Sequence, residues 1–229
     1  MKPVVVIPVY NHPSVAAVIA EARALGLPII AVDDGSDAET RAVLAALSDI
    51  VLLRHGKNQG KGAALLMGFT AAVALGHDAA LTIDADGQHR PADGIKLLAV
   101  AEKELALVVG ARQGMAGEHV PWSSRFGRGF SNFWVWACGG PRVSDSQSGF
   151  RLYPLPESLN LGVRARRYQF EVEILVLAKR HGLTVKEAPI SVIYQGKGQR
   201  VSHFRPWLDF WRNSQTFSRL LWRRLTRRS

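Results

Sequence analysis

Ala79-Ala80-Leu81-Thr82-Ile83-Asp84-Ala85-Asp86-Gly87-Gln88-His89 decides how the rest of the chain is read. A run suited to a buried strand ends at two carboxylates, Asp84 and Asp86, with one residue between them. Both therefore fall where strand becomes loop. Gly87 permits a sharp turn, and Pro91 suits the first turn of a following helix. Carboxylates this close repel unless a cation lies between them or one takes up a proton. In an open α/β sheet, ligands bind outside the carboxyl ends of the strands, where this pair would lie. Two readings follow: a hard divalent ion held by oxygen and completed by a phosphorylated substrate, or a solvated acidic turn.

Read outward from this strand, apolar runs and helical patterns alternate along the first half of the chain. Strands are expected at residues 2–9, 28–32, 50–53, 79–83 and 106–110, with helices at 14–26, 39–47, 61–75 and 92–104. Alternation at this spacing predicts an α/β fold, a mainly parallel sheet with helices on both faces. Short right-handed crossovers then bring the strand ends and their polar loops to one edge. Beyond Arg112 the pattern loosens. A loop at 113–121 leads to an aromatic helix at 122–138, and a polar loop at 144–150 enters a strand that ends near Tyr153. A helix at 168–181, an extended segment at 184–194 and a last helix at 206–228 follow. The expected division is one domain over 1–205 and a basic, aromatic helical tail over 206–229.

The chain has 229 residues, 47% of them hydrophobic, enough to bury the core of one such domain. A single cysteine, Cys138, excludes an intrachain disulfide and suits a reducing compartment. Pro8 interrupts the apolar N-terminal run, so no secretory signal is expected, and no segment has the length of a membrane span. The formal net charge of +10 is concentrated near the end, where Arg205, Arg212, Arg219, Arg223, Arg224, Arg227 and Arg228 stand against Asp209. A basic tail on a near-neutral body suits an anionic partner: a phospholipid surface, a phosphorylated lipid or nucleic acid. Its charge lies beside Trp and Phe rather than across a recognition helix, so nucleic-acid binding is the remote alternative and no nucleic acid is expected. Trp207, Phe210, Trp211, Phe217, Leu221 and Leu225 recur at helical spacing, with Arg212, Arg219, Arg223 and Arg227 on another face. Such an amphipathic helix either lies in a membrane interface or packs its aromatic face on the domain.

Pro8-Val9-Tyr10-Asn11 and Asp33-Asp34-Gly35-Ser36 also close strands and share an edge with Asp84. Asp33 or Asp34 either accepts hydrogen bonds from a nucleoside or caps the next helix. Gly60-Lys61-Gly62 lacks P-loop spacing, and Gly62 stands where Ser or Thr would hold magnesium, which argues against a Walker-type hydrolase. No G-x-G-x-x-G follows the first strand, against a dinucleotide-dependent oxidoreductase. Tyr10-Asn11-His12-Pro13 replaces the Gly-rich, Arg-containing loop of a nucleotidyltransferase. Lys61 either approaches a diphosphate or is a solvated lysine at a helix start.

Six blocks occur in one order: Val4-Val5-Val6-Ile7-Pro8-Val9-Tyr10-Asn11, Asp33-Asp34-Gly35-Ser36, Asn58-Gln59-Gly60-Lys61-Gly62, Asp84-Ala85-Asp86-Gly87-Gln88-His89, Asp145-Ser146-Gln147-Ser148-Gly149-Phe150 and Phe170-Glu171-Val172-Glu173. Together they resemble the family 2 glycosyltransferases, most nearly the polyprenyl (dolichyl) phosphate mannosyl- and glucosyltransferase branch. The resemblance implies a GT-A type (Rossmann-like) mixed sheet, a GDP- or UDP-linked nucleotide-sugar donor, Mg²⁺ or Mn²⁺, inversion at the anomeric carbon and a lipid-linked acceptor, a polyprenyl phosphate.

By position, the resemblance implies that Pro8, Tyr10 and Asp34 line the nucleoside pocket, with Lys61 and Ala85 also at the donor. Asp84 and Asp86 become the metal pair, Asp86 acting in catalysis through the ion, and Gln88 helps hold it. Arg112, Arg125 and Arg128 stand where that branch receives the acceptor's phosphate, or else are surface arginines. Arg200-Val201-Ser202-His203 occupies the place of a mobile loop over the diphosphate, with His203 where a lysine is frequent. A phosphate acceptor needs no strong base. For a lipid or soluble hydroxyl, the alternative acceptor, Asp145 would be that base; otherwise it is a turn carboxylate capping the amides that follow. One of Glu171 and Glu173 is expected to face the site. A peripheral protein on the cytoplasmic side of the plasma membrane is the expected setting.

Overall fold

Val4, Val5, Val6 and Ile7 are all fully buried in β1 (Pro3–Val9). Successive strand residues face opposite ways. Val4 and Val6 accordingly join one apolar core, and Val5 and Ile7 join another. A strand covered on both faces reads as an unbroken apolar run, and β2 (Ile29–Asp33) is likewise buried throughout. The computed structural model describes residues 1–113, 122–193 and 206–226, without the side chains of 122–126, 206–213, 223 and 225.

The other strands are β3 (Val51–Arg54), β4 (Ala79–Thr82), β5 (Ala106–Arg112), β6 (Arg151–Pro154) and β7 (Thr184–Ile190). Their order is β3-β2-β1-β4-β6-β5-β7. Neighbours pair in parallel, except that β6 runs antiparallel to both β4 and β5. The sheet is thus mixed and mainly parallel, as expected. Because β6 enters where β4 and β5 leave, the loop at 144–150 is brought to the edge that carries Asp84.

Helices α1 (Val15–Ala22), α2 (Ala38–Ala45) and α4 (Gly94–Ala101) cover one face through residues such as Ile19, Leu44 and Leu97. Helices α3 (Lys61–Ala74), α5 (Trp122–Ala137), α6 (Glu157–Asn160), α7 (Phe170–Arg180) and α8 (Pro206–Thr226) lie on the other. Gly68 allows α3 to lie close on β1, since a Cβ there would collide with Val6. Three details differ from the sequence reading. Pro91–Asp93 forms a short 3-10 turn before α4, which stops at Ala101; β5 continues to Arg112; and the four-residue α6 was not anticipated.

Strand order reverses beside β1. The chain steps outward through β2 and β3, and α3 then carries it back to β4 on β1's other flank. The crevice beyond the carboxyl ends of β1 and β4 is where a sheet of this kind binds ligands.

The described part of α8 packs on the domain. Phe217 and Leu220 are buried, and Phe217 stacks on Trp134 of α5 at 6.1 Å. Each such side chain contributes roughly 1.5–3 kcal/mol. Arg180 of α7 donates to the carbonyls of Cys138 and Leu220, and Arg224 donates to that of Ala137. Arg219, expected on a separate charged face, instead bonds the fully buried Glu173 at 2.8 Å. Among the described residues, no helix is long and apolar enough to cross a membrane.

Candidate active site

The loops after β1 and β2 are stitched together at the crevice. Asn11 has a left-handed backbone (φ 46), a conformation Asn adopts more readily than most residues. Its N–H donates to Ser36 Oγ, and its Oδ1 accepts from the Asp37 amide. Pro8 and Tyr10 are half-buried at the same edge. The cap of α2 is neither Asp33 nor Asp34 but Asp37, which accepts from the Thr40 amide at 2.8 Å.

Asp33 is fully buried and accepts from the Ser36 amide and from Arg54 Nε. Asp34 is also buried. Its oxygens accept from the Gln59 amide at 2.9 Å and the Gly60 amide at 2.7 Å, and Oδ1 lies 2.7 Å from His55 Nδ1. Asp34 thereby fixes the start of α3. Gly60 (φ 102) is required there, because a Cβ would overlap Arg167 and the Arg166 carbonyl.

That fixed start delivers Lys61. Its Nζ is 2.6 Å from Asp84 Oδ1 and 2.5 Å from Glu171 Oε1, with the lysine side chain 15% exposed. The solvated-lysine reading is therefore corrected: Lys61 is the shared partner of two carboxylates. Burial alone would push the ammonium's pKa down, but Asp84 and Glu171 outweigh it and hold the group above the ordinary lysine value. Burial likewise pushes the Asp84 carboxyl up, and Lys61 brings it below the usual carboxylate range. Of the two α7 glutamates, Glu171 faces this cluster. Glu173 turns to the Arg164 and Ala165 amides and to Arg219.

Asp84 lies two residues past Thr82, which pairs with Val6 of β1. Ala85 is buried, whereas Asp86 and Gln88 are half-buried. Asp86 Oδ1 accepts from the Gln88 amide at 3.0 Å, closing the turn that Gly87 (φ 68) permits. His89 is buried and stacks on Phe150. Burial is the main reason its pKa lies below the ordinary imidazole value, against the pull of Asp84 and Asp86.

On the other flank, Arg112 closes β5 and takes Asp145 in a two-pronged pair: Nε to Oδ2 at 2.5 Å and Nη2 to Oδ1 at 2.8 Å. The Asp145 side chain serves Arg112 rather than capping the amides after it. Arg128 is half-buried on α5. The Arg125 side chain, Arg200 and His203 lie outside the described residues. Arg151 was missed by the sequence reading. It is fully buried and donates to the carbonyls of Ser146, Ser148 and Glu171, joining the 144–150 loop to α7. Glu171 itself was half-seen; its signal is a carboxylate inside the apolar run Phe170 to Ile174.

Among the described residues, no three His, Cys, Asp or Glu side chains converge as a metal cage. Asp84 and Asp86 instead offer two hard oxygen donors, with Gln88 beside them. A magnesium-like ion commonly takes one or two protein carboxylates and completes its shell from water and substrate phosphates. This donor set fits that kind of ion, and the ammonium already seated on Asp84 shows that the spot accommodates positive charge.

The family model described as Glycosyl transferase family 2 matches residues 4–155. The chain is similar to UDP-N-acetylglucosamine--dolichyl-phosphate N-acetylglucosaminyltransferase of Methanococcus voltae, 33% identical over 187 residues, covering 72% of this chain and 74% of that protein. It is also similar to polyprenol monophosphomannose synthase of Mycolicibacterium smegmatis, 28% identical over 207 residues, covering 83% and 77%. A crystal structure of a Mycobacterium tuberculosis protein in complex with manganese superposes with a TM-score of 0.54 at 14% identity, covering 93% of this chain and 97% of that one. That last likeness bears on the fold alone.

Proposed function

The chain belongs to glycosyl transferase family 2, and from that premise we propose that it moves a sugar from a GDP- or UDP-linked donor to a polyprenyl phosphate. The reaction inverts the anomeric carbon. The names of the Methanococcus and Mycolicibacterium relatives support the acceptor class. One observation carries the reading: Asp84 and Asp86 follow β4 and Tyr10 follows β1, two paired parallel strands at the point where strand order reverses.

In this reading Pro8, Tyr10 and Asp34 border the nucleoside, and Asp84, Asp86 and Gln88 hold Mg²⁺ or Mn²⁺. When bound, such an ion supplies positive charge to the diphosphate as the bond from sugar to oxygen breaks. Lys61 adds fixed positive charge, already desolvated, beside the same group. An oxygen of the acceptor phosphate attacks the anomeric carbon while the nucleoside diphosphate leaves. That oxygen is already anionic, so no proton has to be removed.

Arg112 orients the acceptor phosphate, with Arg125 and Arg128 nearby in sequence. Its fork is held in plane by Asp145 through two parallel hydrogen bonds. With both oxygens engaged, Asp145 is ill placed to serve as a general base, which counts against a hydroxyl acceptor. A lipid-linked acceptor calls for contact with a membrane surface. Exposed Trp136 and Trp222 suit the interface of a peripheral protein on the cytoplasmic side.

The test is a thermal-shift panel of nucleoside diphosphates and nucleotide-sugars with and without Mn²⁺, followed by transfer to polyprenyl phosphate in vesicles. Selective stabilisation by one base in Mn²⁺ is expected. No stabilisation by any of them would overturn the donor assignment.

A further inference from the structure

Three segments distant in sequence meet at one ammonium group. Lys61 Nζ touches Asp84 Oδ1 and Glu171 Oε1, with the Glu171 side chain 7% exposed and that of Asp84 23%. Gly149 keeps the space open, since a Cβ there would overlap Lys61 Nζ, Asp84 Oδ2 and Glu171 Oε1. Two carboxylates thus share one cation, and Asp84 is the more accessible of the two. Without Lys61 these carboxylates would be left near each other with little water to screen them.

A divalent ion on Asp84 alters that balance. The ammonium then faces a like charge at short range, where repulsion is large because water is scarce. Glu171 is the partner Lys61 can keep, being the deeper of the two. Resting on the glycosyltransferase reading above, we propose that Lys61 is the cation that Asp84 shares with Glu171 until a metal ion binds. The lysine holds the Asp84 carboxylate in place, yields it to the incoming ion, and stays tied to Glu171. Its remaining N–H groups then turn to the donor's diphosphate; an ammonium has three to give. Glu171 is a positioning residue in this scheme, acting through Lys61.

The consequence is an effect of opposite sign on two ligands, which a merely structural lysine would not produce. Mn²⁺ binding to the nucleotide-free protein is measured by electron paramagnetic resonance. GDP and UDP binding at saturating Mn²⁺ is measured by calorimetry. Lys61→Met is expected to bind Mn²⁺ about tenfold tighter and the nucleoside diphosphate about tenfold weaker than wild type. Glu171→Gln removes the negative charge from one of the two partners of Lys61, leaves the ammonium drawn more strongly to Asp84, and is expected to bind Mn²⁺ about tenfold weaker. Folded Lys61→Met protein that binds Mn²⁺ no tighter than wild type overturns the assignment.

Should Lys61→Met fail to fold, a crystal of the wild-type protein with Mn²⁺ decides. The Lys61–Asp84 contact is expected to open while Lys61–Glu171 persists; both contacts intact beside a bound ion overturn the proposal. Wild-type protein that binds neither Mn²⁺ nor a nucleoside diphosphate sinks the functional reading and this one with it. Wild type that binds both, with Lys61→Met unchanged for Mn²⁺, sinks only the role of Lys61.

Discussion

Arg112 grips both carboxylate oxygens of Asp145, and its own backbone N–H points to Oδ2 as well, at 3.4 Å. The last residue of β5 and the start of the 144–150 loop are thereby locked together across the sheet edge. Asp145 is 1% exposed, so its carboxylate serves the arginine rather than solvent.

Asp145→Asn separates a positioning role from a base. The amide keeps one acceptor but presents a donor to a guanidinium N–H, which loosens the plane of Arg112. With a phosphate acceptor, the acceptor's KM is expected to rise about tenfold while kcat stays within about threefold. A kcat lowered by about 10²-fold or more at unchanged KM would instead mark Asp145 as the base for a hydroxyl.

Asp86→Ala isolates the role of the Asp-x-Asp pair. The side chain is half-buried and closes a turn through the Gln88 amide, so unfolding in urea is expected to shift by no more than about 1 kcal/mol. Transfer is expected to fall by about 10²-fold or more, and the stabilisation by Mn²⁺ should vanish. Full transfer activity in this variant would remove the metal role.

How much of this was legible in the sequence depends on how local each cause is. Strands β1, β2, β4 and β5 were readable because burial on both faces leaves an unbroken apolar run, β3 only by its short run Val51-Leu52-Leu53 at the sheet's exposed edge, and the polar residues that end them mark the site's edge. The direction of β6 was not readable, since it is set by pairing with β4 and β5 from distant parts of the chain. Arg151 looks like any surface arginine until three carbonyls from the 144–150 loop and α7 surround it. The pairing of Lys61 needed Glu171, 110 positions away. Asp37 was readable by its spacing to Thr40 and was passed over for the more conspicuous Asp33-Asp34.

Acid sensitivity has a source outside the site. Asp93 accepts from the Ser191 amide at 2.7 Å and pairs with Lys96 at 2.6 Å, tying the start of α4 to the segment after β7. Burial pushes its carboxyl up, but Lys96 and the Ser191 amide outweigh this and hold it below the ordinary value of 3.8. A carboxyl depressed in the folded state contributes stability that is present above its unfolded pKa and lost as pH falls through the folded one. Asp93→Asn is expected to cost about 1 kcal/mol at pH 7 and to flatten the decline below the unfolded pKa. Urea titrations across that range check both; an unchanged acid limb would assign the decline to other carboxylates.

The tail helix offers two substitutions with separable outcomes. Glu173 is fully buried, and Arg219 is its partner from α8 at 2.8 Å. Arg219→Ala leaves Glu173 Oε1 without that bond and is expected to destabilise the protein by about 1–3 kcal/mol. Trp222, three residues on, is 69% exposed, so Trp222→Ala is expected to change stability by less than about 0.5 kcal/mol. If this aromatic edge meets lipid, the same variant should sediment less with anionic vesicles, because an interfacial Trp and nearby basic residues act together. Unfolding curves and vesicle co-sedimentation on both variants decide the matter. Unchanged sedimentation of Trp222→Ala would leave α8 as a packing element alone, held to the domain by Phe217, Leu220 and the Arg219–Glu173 pair.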